Sequence, residues 1–124
     1  MQNKPLNFGP VALTTTLTTN ILNPPTLTGG VGGVTGNCYF LLKHIRIANK
    51  TGSAATYSLW LGATGANAAG TEVGGTGKSV PANDAVDIYF GGQGLAIDTA
   101  QFLVGGSGTA TALTLTAEGE VGVR

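Results

Sequence analysis

The side chains able to do chemistry are few in this chain. It has one histidine, His44, and one cysteine, Cys38, six residues upstream. On a regular strand, residues six apart share a face but lie about 20 Å apart. They cannot grip one ion or form a nucleophile pair, so His44 reads as a surface or interface residue. Gly74-Gly75-Thr76-Gly77-Lys78-Ser79 looks like the end of a phosphate-binding loop. That motif needs a glycine where Glu72 stands and a helix after it, whereas Val80 and Pro81 follow. A flexible loop is the better account. Asp84 with Asp87, and Glu118 with Glu120, are carboxylate pairs that glycoside chemistry or calcium binding would use. The plainer reading has Asp84 capping a turn while the others solvate strand ends. Nothing marks a nucleophile elbow. Trp60 remains, as a sugar-stacking platform, an interface anchor or a core residue, with core and interface favoured because tryptophan is enriched at both.

The elements that position these residues are strands. Tyr39 to Leu61 reads YFLLKHIRIANKTGSAATYSLWL. Leu41, Ile45 and Ile47 fall on one face, with Lys43 as the exception, and Leu42, His44, Arg46 and Ala48 on the other. Asn49 to Ser53 is turn chemistry, and Tyr57, Leu59 and Leu61 then alternate with Thr56, Ser58 and Trp60. Val11 to Leu22 predicts a first strand, stopped by Asn23-Pro24-Pro25. Pro81 to Asp84 predicts a turn, followed by a strand through Val86, Ile88 and Phe90. Short strands follow at Leu95 to Ile97 and Gln101 to Val104, and a last one at Ala110 to Ala117. The Gly-rich stretches Leu27 to Asn37 and Gly62 to Gly77 predict long loops, which in a compact domain are often functional or ordered by a partner. Pro5, Gly9 and Pro10 mark residues 1–10 as an extended arm unable to join a regular ladder. The expected fold is all-β: one antiparallel, jelly-roll-like β-sandwich over residues 11–124, with that N-terminal arm. Its expected core holds Leu13, Leu41, Ile45, Ile47, Leu59, Val86, Ile88, Leu95, Ile97, Leu103 and Leu115.

Composition agrees and excludes several functions. Gly accounts for 21 of 124 residues and Thr for 18, while charged residues make only 10%. Such a chain has little with which to build exposed helix faces. Net charge is +0, and no basic stripe exists, which argues against nucleic acid as a partner. A neutral, Thr-rich surface is prone to associate instead. A lone cysteine excludes an internal disulfide. The N-terminal MQNKPLNFGP lacks the apolar stretch of a signal peptide, and no run reaches transmembrane length. The expectation is synthesis in a cytoplasm, with no membrane partner and no cofactor or metal.

Leu42-Lys43-His44-Ile45-Arg46-Ile47-Ala48-Asn49, then Thr51-Gly52-Ser53-Ala54-Ala55 and Ser58-Leu59-Trp60-Leu61, resembles small virion proteins of tailed bacteriophages. Pro81-Ala82-Asn83 matches a turn of that group, and Ala112-Leu113-Thr114-Leu115-Thr116 its closing strand. Ala12-Leu13-Thr14-Thr15-Thr16 fits its opening. The likeness runs over roughly residues 11 to 123 and rests on structural motifs.

The resemblance implies a virion component made in the host cytoplasm. Members carry head-decoration, head-fibre and tail-associated labels. With no catalytic constellation, a neutral surface and an arm, the expectation is a non-enzymatic capsid decoration or cement protein on the capsid surface, bound to the major capsid protein. A head-fibre, neck or tail-associated protein is the alternative within that class, and a carbohydrate-binding host-adhesion module the alternative outside it. The expected partner-interface residues are Lys4, Leu6, Phe8 and Trp60. Self-association follows from unguarded edge strands, and the resemblance supplies the number three, a homotrimer.

Overall fold

The computed structural model describes residues 4–24, 38–62 and 71–123. The described chain is all β, in nine strands: β1 Lys4–Ala12, β2 Asn20–Leu22, β3 Cys38–Asn49, β4 Ala55–Gly62, β5 Thr71–Val80, β6 Asp84–Tyr89, β7 Leu95–Ile97, β8 Phe102–Ser107 and β9 Leu113–Val123. The first sheet has the order β1-β9-β3-β6, with β7 also beside β3, and the second the order β2-β8-β4-β5. All pairings are antiparallel. β6 pairs with His44 to Asn49 and β7 with Phe40 to Leu42, so the two act as one interrupted edge strand. Counted that way, eight strands divide between two sheets in jelly-roll order, with β4 and β5 paired in the second. This is the sandwich that the alternation predicts.

The interruption has a cause in β3. Between Leu42 and His44 its register against β9 shifts, with Lys43 the extra residue. A bulge moves every later side chain to the other face. Phe40 and Leu42 therefore point inward before it, and Ile45 and Ile47 after it, all at 0% exposure. The Lys43 carbonyl takes a hydrogen bond from Phe90 N at 3.0 Å, in the gap between β6 and β7. This corrects one expected core residue. Leu41 lies half-buried on the outer face, paired with Glu120 and Ala96, and Leu42 takes its place inside.

The rest of the core stands. Leu13, Ile45, Ile47, Leu59, Ile97, Leu103 and Leu115 are buried, and Val86, Ile88 and Leu95 pack against them partly covered. Phe40, Leu113, Leu22 and Val121 complete the layer. Each large side chain so buried contributes about 1.5–3 kcal/mol.

Three local expectations change. Residues 4–10 are extended, but they are paired: Lys4 to Phe8 lie opposite Val121 to Ala117. Pro5 is tolerated because β1 is an edge, where a missing N–H can face away from the sheet. Gly9 and Pro10 fall where the ladder skips, and Gly9 has φ 99°. Leu6 and Phe8 pack on the core rather than waiting for a strand context. Val11 to Leu22 is two strands, because Thr14, Thr16 and Thr19 form a turn of their own. There Thr19 Oγ1 donates to the Thr16 carbonyl at 2.7 Å and bonds Thr14 Oγ1 at 2.6 Å. Threonine hydroxyls compete with ladder bonds in this way. The expected loop Gly62 to Gly77 contains the start of β5, while residues 63–70, like the loop Leu27 to Asn37, lie outside the described residues.

Candidate functional site

The outer face of the first sheet carries most of the polar chemistry. Asn7 pairs with Glu118, Glu118 with His44 and His44 with Tyr89, so four strands set one row of side chains across the sheet. The next row holds Thr116, Arg46 and Asp87. His44 Nδ1 lies 2.9 Å from Glu118 Oε1, and Nε2 lies 2.8 Å from Asp87 Oδ1. Its ring stacks on Tyr89, with centroids 4.6 Å apart and planes 18° off parallel. Arg46 closes a fork on Asp87, Nε donating to Oδ1 at 2.8 Å and Nη2 to Oδ2 at 3.3 Å. Lys43 Nζ bonds Glu120 Oε2 at 3.0 Å.

These bonds set the electrostatics. The Arg46 fork, and then the bond from His44, hold the Asp87 carboxyl below its ordinary range, while Asp87 raises Arg46 in turn. A neutral imidazole has one N–H, so it donates to one carboxylate at a time; an imidazolium donates to both. Above the rows lies an open hollow of about 480 Å³, bounded by Asn7 to Gly9 on one side and by Tyr89 on the other.

The second sheet presents a different face. Trp60, half-buried and outside the core cluster, donates its indole N–H to Glu72 Oε1 and to Thr76 Oγ1, both at 3.1 Å. Thr76 donates its hydroxyl to the same carboxylate oxygen. Glu72 is held below its ordinary value by Thr76 first and Trp60 second. Ser58 accepts from Gly77 N at 2.9 Å. On neighbouring β8, Gly106 is covered by the Thr14–Leu17 turn, with Leu17 39% exposed.

The sequence-predicted residues fall as follows. Cys38 is fully buried while His44 faces out, because the bulge between them reverses the face, so they do not meet. Gly74 to Ser79 is strand rather than flexible loop, and a turn and β6 follow it. Gly74 fits under the side chains of Leu59 and Ile88, which a Cβ would crowd. Asp84 accepts from Ala85 N at 2.8 Å, the local turn role expected. Asp87, Glu118 and Glu120 do more than solvate strand ends, since each pairs across strands. Among the described residues no group of three or more His, Cys, Asp and Glu could hold a metal. His44 lies between its carboxylates and occupies the point where an ion would sit. Lys4, Leu6 and Phe8 lie on β1 and Trp60 on the other sheet, so the structure does not bring them together. Tyr89 was not singled out in sequence, where its only signal is its place in the alternation Asp87-Ile88-Tyr89.

No family model, no curated protein and no solved structure shows significant similarity to this chain.

Proposed function

We propose that the protein is a non-enzymatic structural component of a bacteriophage virion, a decoration or cement protein bound to the major capsid protein. The likeness of residues 11 to 123 to small phage virion proteins supports this reading. The observation that carries it is the state of Trp60. Its indole is fixed by two hydrogen bonds on the outer side of the second sheet, where Thr56, Thr76 and Ser79 are exposed and Glu72 is the charged neighbour. A rigid aromatic on a near-neutral face is the kind of anchor around which protein interfaces concentrate their energy, because little side-chain freedom is lost on docking.

Cement proteins act by mass action: each copy binds only the assembled shell, so modest contacts repeated over many sites favour the particle over its parts. A sandwich with net charge +0 meets copies of itself without repulsion, and a homotrimer is the assembly the resemblance implies.

Imaging of purified particles, with separate quantification on heads and tails, tests the reading. Many copies on heads and none on tails is the expected result. Copies confined to the neck or tail would assign it to a fibre or tail-associated role. Trp60→Ala should weaken head binding about tenfold or more while leaving the fold intact.

A further inference from the structure

We propose that the outer face of the first sheet binds a neutral saccharide, with the His44–Tyr89 stack as its platform. The inference does not rest on a virion role. Tyr89 is 73% exposed, although one face of its ring lies against His44, so the opposite face stands in solvent. An aromatic this open stands out among the described residues, where Leu17 is the other large hydrophobic side chain exposed. It is also held in place: the imidazole behind it has a carboxylate oxygen within 2.9 Å of each ring nitrogen, and Asp87, one of those partners, is gripped by Arg46. The hollow beside the stack, about 480 Å³, falls within the range of small-molecule sites, roughly 300–1,000 Å³.

The polar groups around the hollow select the ligand class. Arg46 is already matched by Asp87, and Glu118 stands one row away, so an added anion would meet two carboxylates. A cation would meet the Arg46 guanidinium. A polyhydroxylated neutral molecule avoids both conflicts. Its hydroxyls can donate to lone pairs left on Glu118, and accept from the Asn7 amide and the remaining Arg46 N–H groups. A sugar ring also has an apolar face of C–H bonds, which an exposed tyrosine covers at low entropic cost. Short open hollows of this kind bind weakly, so an assembled array of copies would be needed for firm attachment.

The full-length chain, labelled with ¹⁵N, is titrated with maltotriose, cellotriose, mannotriose and chitotriose at millimolar concentration. At least one should shift amides of residues 7–9, 44–46, 87–89 and 116–118 together. Tyr89→Ala should lower that affinity roughly tenfold, Tyr89→Phe should retain it, and Trp60→Ala should leave it unchanged. Tyr89 is exposed, so an unchanged thermal melt confirms that the loss is not unfolding. Absence of shifts with all four sugars overturns the proposal, as does binding that follows Trp60 or survives Tyr89→Ala. Shifts on this face that grow with protein concentration alone would assign it to a second copy, and equally overturn the proposal.

Discussion

Asn49 shows how one side chain can join parts of the chain that sequence separates. It is 1% exposed, and its amide donates to the carbonyls of Ser53 at 2.8 Å, Val80 at 3.1 Å and Pro81 at 3.2 Å. Its own oxygen accepts from Thr51 N and Thr51 Oγ1. The β3–β4 turn is thereby tied to the β5–β6 turn. Asn49→Ala leaves these groups unpaired, and urea unfolding should show a loss of about 1–3 kcal/mol. Asn49→Asp, which lacks the amide donors, should be no better. The sole tryptophan gives a second test at this scale. A carboxyl held below its ordinary value supports the folded arrangement above that value, and the support is lost as pH falls through the lowered one. Trp60 fluorescence should therefore change on acidification with a midpoint below 4.5, the unshifted value for Glu72. In Glu72→Gln that transition should vanish. Single residues are visible in sequence, but their roles are not: His44 reads as a surface or interface residue, Asp87 and Glu118 as solvating strand ends, and Trp60 as a core or interface residue. Their grouping is hidden too, because which carboxylate faces His44 depends on register across β6, β3 and β9, and no local pattern encodes it.

Legibility among the elements followed the strength of local alternation. Leu113 and Leu115 against Thr114 and Thr116, and Val86 and Ile88 against Asp87, were read correctly, because nothing local competes with their period of two. β1 is hidden in the sequence because proline and glycine argue against a strand, and only the sheet edge and the skip at Gly9–Pro10 make them compatible. β5 is hidden because a glycine-rich strand has no alternation to show. The β3 bulge was visible as the anomaly at Lys43, though not as a change of face. Gly119, beside that bulge, has no room for a Cβ, which would run into the Leu41 carbonyl oxygen. Gly119→Ala should thus force β3 and β9 apart, lowering the melting temperature while Gly91→Ala, in open space, leaves it within a degree or two. Deleting residues 1–10 removes Leu6 and Phe8 from the core and uncovers the edge of β9. Unfolding free energy should fall by at least about 2 kcal/mol, and light scattering should report aggregation of the exposed edge. A truncated chain of unchanged stability would show that β1 contributes nothing to the sandwich.

The molecule as a whole has two faces of different character. One carries a ladder of matched charges around an open tyrosine; the other carries a pinned indole on a near-neutral field. Since Lys43 is matched by Glu120 and Arg46 by Asp87, salt should screen little that matters to association. Sedimentation in low and high salt should give the same assembly state, and dissociation by salt alone would show that the charge ladder holds the copies together.

The place of β9 has a further consequence, for the time course of folding. It lies between β1 and β3, and it is translated after both. Neither neighbour can take up its native partner on that side until β9 arrives, so a growing chain must hold two unpaired edges open through most of its synthesis. Closure then joins Lys4 to Val121, nearly the full length of the described chain, at one step. Folds dominated by such distant pairings fold in milliseconds to seconds rather than microseconds. A chain stalled on the ribosome before Leu113 emerges should remain open to protease along β1 and β3, and release of β9 should protect both together.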